Sequence, residues 1–271
     1  MNSETITQLS DRKLSAPSPT SASTFTLANS PFMPAVVNQG DFLQTCVPCA
    51  VTNAIKYYDN KNNIVRPYRS RLYLYWYARK QTGKQTQNVG VAMTDISTSI
   101  AQYGVSSEIL WPYPPTTIGQ QAVYKVEPSK TAYNDAKSNQ FVKFKVLPTD
   151  LNIIKNVLSV KKYPVIVVIR LFNFKVSGSK LTVNSLKYAQ PTGSIPYPSP
   201  CKLANGTTDP SYKACSLNLG HCLLIVGWDD VRQVFIIQNC YGTSWGDGGY
   251  GTISYSYIRN ANLASSLYTM Y

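Results

Sequence analysis

Apolar positions change period partway along the chain. In the first half they recur at helical steps. Val47, Ala50, Val51, Ala54, Ile55 and Tyr58 follow one another at intervals of 3, 1, 3, 1 and 3, which is one apolar helical face over three turns. Thr45 is placed to cap this helix, and Pro48 is tolerable only in a first turn. Cys46 therefore falls at the helix N-terminus. Residues 70–80, SRLYLYWYARK, predict a second helix, apolar on most sides and so well buried. Residues 94–103 predict a third, with Ile96 and Ile100 inward and Gly104 as its stop.

Past about residue 140 the rhythm shifts to that of strands. Residues 141–146, FVKFKV, alternate, and Pro164 leads a continuous apolar run to Ile169. Between them Thr149 is expected to cap a short helix carrying Leu151, Ile154 and Leu158. Residues 171–219 read as loop and edge strand. Leu223 to Gly227 then predicts a buried strand, Val234 to Ile237 a second, and residues 251–257, GTISYSY, a last alternating one. Helices first and strands after predict an α+β fold of two sub-domains. The helical one spans about 46–130 and the β one about 140–258, within a folded part from 31 to 271. Residues 1–30 are rich in Ser, Thr and Pro and are expected to form a flexible tail.

Composition adds three constraints. The formal net charge is +13, from 26 basic and 13 acidic residues, which favours acidic partners. The basic residues are scattered, with small groups at 66–71 and 161–162, so nucleic-acid binding is not expected as the main role. Tyrosine is abundant, 20 against 8 phenylalanines, and suggests broad half-buried surfaces. No membrane span and no secretory signal are read. The expected setting is the cytosol or a particle assembled there, such as a virion. The six cysteines are then thiols by default, although Cys201 and Cys215 flank a loop and could pair in an oxidising setting.

The chemistry turns on His221, the only histidine in the chain. A lone histidine is more often structural than catalytic. Here it opens the strand that neighbours a second strand ending in Gln238-Asn239. A cysteine at a helix N-terminus sits where the dipole and free N–H groups favour a thiolate. An imidazole could pair with it and protonate a leaving amine. An asparagine could fix the imidazole tautomer, and a glutamine could donate to an oxyanion beside the cysteine's own N–H. Cys46, His221, Asn239 and Gln39 fill these four roles. They need no metal and no cofactor, and none is expected.

At these residues the sequence resembles the papain-like, cathepsin-type cysteine peptidases. Asn38-Gln39-Gly40 with Thr45-Cys46-Val47 is similar to the family's glutamine–nucleophile segment. Gly220-His221 with Leu224 to Asp229 is similar to its histidine strand. Asn239-Cys240-Tyr241-Gly242-Thr243-Ser244-Trp245-Gly246 is the most specific match. The resemblance implies a helical and a β sub-domain with the active site in the cleft between them. It implies endopeptidase activity on protein or peptide substrates through a Cys46 thiolate and His221 imidazolium. It also implies that Gly90 and Val91 hold the substrate backbone.

The chain departs from the pattern in places. Gln39 and Cys46 are one residue further apart than usual, which makes Gln44 a rival oxyanion donor. Cys49 replaces an apolar core residue. Tyr241 replaces a tryptophan over the His–Asn pair, so a wetter pair is expected. The Cys46–His221 separation exceeds the usual span of about 130–150 residues, and the excess is assigned to residues 177–219. The alternative is a non-catalytic structural or docking protein of a virion or other assembly that keeps the fold. Acyl transfer on another substrate class would use the same residues.

Overall fold

The structure, a computed structural model, describes residues 23–139, 143–175, 182–199, 201–209 and 216–270. Its first half is helical: α1 (Cys46–Lys61), α2 (Arg71–Gln81), α3 (Met93–Tyr103), α4 (Thr117–Val123) and α5 (Lys130–Lys137). Ser70 caps α2 by accepting from the Tyr73 N–H. Gly104, at φ 72°, ends α3, and a Cβ there would strike the Ala136 carbonyl. The apolar pattern holds no hint of α4 and α5. They are short and mostly polar, and α5 buries only Ala132 and Ala136.

The second half is built on one large sheet. Its strand order is β2 (Phe144–Leu147), β11 (Ala264–Met270), β3 (Val165–Lys175), β8 (Ser216–Asp229), β9 (Val234–Gln238), β10 (Tyr250–Ser254) and β5 (Ser194–Ile195). All neighbours are antiparallel except β10 and β5. β4 (Thr182–Asn184) adds to β3, while β6 (Cys201–Lys202) and β7 (Thr208–Asp209) pair separately. Short helices α6 (Leu151–Asn156), α7 (Ser185–Tyr188) and α8 (Tyr255–Arg259) fill the connections, and a π turn follows α6 at Val157–Lys161.

Several local expectations change. Asp150, not Thr149, caps α6, accepting from the N–H groups of Asn152 and Ile153. A carboxylate at a helix start also meets the dipole, which a threonine does not. The alternating run at 251–257 is a strand only to Ser254. Ser254 then accepts from the Tyr257 N–H and starts α8, so Tyr257 turns into the core. β11 lies beyond the last strand that the apolar pattern predicts. Residues 23–30, assigned above to a flexible tail, lie on the sheet: β1 (Thr24–Thr26) pairs antiparallel with the end of β8, and Phe25 stacks on Trp228. Residues 1–22 and the Cys201–Cys215 pairing lie outside what is described.

One core unites the halves. Val47, Val51, Ala54 and Ile55 of α1 pack with Leu223, Ile225, Val167 and Ile237 of the sheet. A buried polar tie reinforces the contact: Asn53 Nδ2 donates to Gln238 Oε1 at 2.8 Å. Gln238 Nε2 in turn donates to the Pro34 carbonyl and the Tyr250 hydroxyl. The tyrosines are more buried than composition suggested. Tyr73, Trp76 and Tyr77 form a second core with Tyr103 and Tyr133 around them. The basic group at 66–71 is committed internally. Arg71 pairs with Glu108 at 2.8 Å, Arg66 with Asp59 at 3.4 Å, and Arg69 is buried and donates to Asn139.

The β1–β8 contact requires glycine at 227. A Cβ there would lie 2.3 Å from the Phe25 carbonyl oxygen. Gly227→Ala is expected to destabilise the fold by about 1–3 kcal/mol and to open residues 23–27 to proteases. Thermal melting with limited proteolysis checks this; an unchanged melt and an uncut N-terminal segment would contradict it.

Candidate active site

α1 begins at Cys46 and lies against β8, which carries His221. The Cys46 thiol meets the backbone N–H of Cys222, the residue next to the histidine. Thr45 occupies the N-cap position, but its hydroxyl is not spent on the helix. It bonds Tyr113 Oη at 2.7 Å. The first-turn N–H groups are therefore left without that side-chain cap.

The segment before Cys46 is held by long-range contacts invisible to local pattern. Tyr113 Oη donates to the Gln39 carbonyl at 2.7 Å, and Gln120 Nε2 donates to the same carbonyl at 3.0 Å. Gly40, at φ 71°, has no room for a Cβ beside Gln120. Asn88 donates to the Phe42 carbonyl at 2.6 Å and accepts from the Gln44 N–H. The loop is thus a pinned turn. Gln44 itself is exposed. Asn88, which ties this loop down, stands just before Gly90 and Val91 in the chain, ahead of α3. Gly90 is exposed, and Val91 packs partly against the core.

Gln39 is stitched to the asparagine segment. Its N–H donates to the Cys240 carbonyl at 2.9 Å, the Gly242 N–H donates to the Val37 carbonyl, and Asn38 bridges Tyr241. The Gln39 amide oxygen accepts from the Cys240 thiol at 3.1 Å. Its Nε2 reaches only the Leu43 carbonyl, at 3.4 Å. Asn239 follows β9, and its N–H donates to the Gly249 carbonyl at 2.9 Å.

The His–Asn geometry assigns a tautomer. Asn239 Oδ1 accepts from the Cys240 N–H at 2.8 Å, which fixes that atom as the amide oxygen. The same oxygen lies 2.8 Å from His221 Nε2. An amide oxygen is acceptor only, so Nε2 carries the proton and Nδ1 keeps its lone pair. The Tyr241 ring lies over His221, with centroids 5.0 Å apart. The pair is dry, not wetter as expected. His221 is 3% exposed and Asn239 2%, so the smaller ring still seals it.

The electrostatics also differ from the expectation of a depressed thiol. Part of Cys46 reaches solvent, yet burial of its thiol among protein atoms pushes it up to about 11. The Cys222 N–H opposes this, and Cys49 adds to it. Burial brings His221 down to about 4, against the hydrogen bond to Asn239. Among the described residues no hydrogen bond joins the Cys46 thiol to the imidazole. At rest, then, the thiol and the imidazole are both neutral. Desolvation disfavours the ion pair at both ends, and it outweighs the helix N-terminus.

This carries a pH signature. Unfolded, an imidazole takes up a proton below about 6.5; folded, His221 does so only near 4. The unfolded state therefore binds more protons across that window, and stability falls as pH drops through it. The full cost is roughly 3 kcal/mol. His221→Gln should lose less stability than the natural protein between pH 6.5 and 4, as read by denaturant titration. Parallel losses in the two proteins would contradict the buried neutral imidazole.

Comparison with known proteins agrees with this architecture. Residues 202–271 match the family model for papain family cysteine proteases. An uncharacterized peptidase C1-like protein, L477, of Acanthamoeba polyphaga mimivirus is 26% identical over 242 residues, covering 86% of this chain and 68% of that protein. Among solved structures, xylellain, a cysteine protease from Xylella fastidiosa, superposes with a TM-score of 0.73 at 24% identity, over 92% of this chain and 85% of that one. Digestive procathepsin L 3 from the Tenebrio molitor larval midgut gives 0.60 at 18% identity, over 92% and 69%. The Carica candamarcensis cysteine protease CMS1MS2 gives 0.57 at 17%, over 92% and 98%. The chain is thus papain-like in fold, and over residues 202–271 it matches the papain family in sequence as well.

Proposed function

We propose that this protein is a cysteine endopeptidase in which Cys46 attacks peptide carbonyls with His221 as its base. The observation that carries the reading is the double acceptance at Asn239 Oδ1. By holding Nε2–H, it leaves Nδ1 as the ring's proton acceptor.

The neutral resting site sets the order of events. As the thiol attacks, its proton passes to Nδ1, so the thiolate and imidazolium coexist only as the tetrahedral intermediate forms. The developing oxyanion is met by the Cys46 N–H, one of the free N–H groups of α1, and by Gln39 Nε2, whose contact to Leu43 is long and readily exchanged. The imidazolium then protonates the leaving amine. Collapse gives a thioester at Cys46, which a water activated by the same Nδ1 hydrolyses. The exposed backbone at Gly90 and Val91 is the proposed rest for the substrate main chain. The mimivirus relative and the basic charge fit a role in a virus-like or cytosolic assembly with acidic partners. A docking role without turnover draws its support from the high thiol pKa and the missing Cys46–His221 hydrogen bond.

A panel of fluorogenic peptides in reducing buffer separates the two. Turnover is expected, abolished in Cys46→Ala and reduced about 10²–10⁴-fold in His221→Ala. Gln39→Ala should lower kcat by about 10²–10³ with KM nearly unchanged. Absence of turnover on every peptide, with an intact melt, would favour the docking role.

A further inference from the structure

Four thiols surround the site: Cys46 and Cys49 on α1, Cys222 beside the histidine and Cys240 beside the asparagine. The reading above uses only Cys46. The other three are buried, and Cys49 sits where a core residue would pack. Cys46-Val47-Pro48-Cys49 is a C-x-x-C sequence in the first turn of a 16-residue helix, a spacing that suits dithiol chemistry.

The geometry suits a bond between the first and last of these residues. Positions i and i+3 of an α-helix share a face, with Cα atoms about 5 Å apart, inside the range a disulfide spans. The two thiols also differ in the way such a pair requires. Cys46 is partly exposed, and Cys49 is fully buried. An incoming reagent can meet only the first, and only the second is placed to resolve the product.

Cys49 is prepared for that step. Its sulfur lies 3.9 Å from Thr45 Oγ1 and faces the Cys240 thiol and the Arg71 guanidinium. Burial raises its pKa, but the Cys240 thiol and Arg71 oppose burial, and the net direction is down. The Cys240 thiol has one proton and two acceptors, Cys49 and Gln39 Oε1 at 3.1 Å. Arg71 stays in place whichever is served, held by Glu108 at 2.8 Å.

We propose that Cys46 and Cys49 form a reversible dithiol–disulfide site that exchanges with low-molecular-weight disulfides of the glutathione class. Cys46 attacks one sulfur of the small disulfide. A protein–small-molecule mixed disulfide forms, and one small thiol leaves with a proton. Cys49 then gives up its proton and attacks Cys46 Sγ, forming the Cys46–Cys49 bond and expelling the second small thiol, which takes that proton up. Two electrons pass from the two cysteine sulfurs to the reagent, which is reduced to two thiols. The disulfide withholds Cys46 from any substrate, and a dithiol reductant reverses it. Loss of peptidase activity on oxidation rests on the function proposed above; formation of the bond does not.

The test is oxidation of the native full chain with oxidised glutathione, trapping of free thiols with N-ethylmaleimide, and peptide mapping by mass. The expected product is a Cys46–Cys49 linkage, with Cys222 and Cys240 trapped as thiols and the linkage removed by dithiothreitol. Cys49→Ala should instead accumulate a stable mixed disulfide at Cys46. Where peptides are cleaved, activity should fall in proportion to the linked fraction and return on reduction. A wild-type protein that stops at the mixed disulfide, links Cys240 instead or leaves Cys46 unmodified would overturn the proposal. Linkage without any peptide turnover would leave it standing while the peptidase reading fell.

Discussion

The packing of α1 against β8 is the constraint on which the site depends. Cys46 and His221 are far apart in sequence, and neither has a local reason to be near the other. The start of α1 and the histidine strand are brought together because Val47, Val51, Ala54 and Ile55 bury one face of the helix on strands whose inward residues are Leu223 and Ile225. Asn53 and Gln238 fix the registry of that contact with a buried hydrogen bond. Apolar burial supplies the attraction and the polar pair limits its sliding, since an unpaired buried amide is costly. The helix N-terminus is thereby delivered to the histidine strand, and the Asn239 segment is delivered by the next strand along.

Much of this was legible in the chain. The three long helices and the buried strands announced themselves by period, and Cys46 at the start of α1 followed from the position of Pro48 and the apolar face behind it. Asn239 and His221 came from adjacent apolar runs. What was illegible was whatever depends on distant partners. Tyr113, Gln120 and Asn88 hold the loop before Cys46 across 44 to 81 residues of sequence, and no periodicity carries such information. α4 and α5 escaped because too few of their residues are apolar. β1 escaped because three residues, half exposed, leave no pattern; its place is set by the partner strand and by a glycine at 227.

The electrostatic expectation failed for an instructive reason. A helix N-terminus does favour a thiolate, typically by fractions of a kcal/mol to about 2. Desolvation of a buried thiol acts against it and here is larger. The same burial suppresses protonation of His221, so a dry Tyr241-covered pair and a resting ion pair do not coexist. On the proposed reading the charge-separated form is deferred to the moment of attack, when the oxyanion donors and the substrate are in place to share it. Meanwhile the anion-favouring environment falls on Cys49, three residues on, beside Arg71.

The central claim is that Cys46 is a nucleophile because His221 takes its proton. An irreversible, peptide-directed epoxide reports this without knowledge of the natural substrate. Intact mass and peptide mapping should show a single adduct on the natural protein, at Cys46, and almost none on folded His221→Ala under the same conditions. Equal labelling of the two proteins, or an adduct on Cys49 or Cys240 in place of Cys46, would contradict the account.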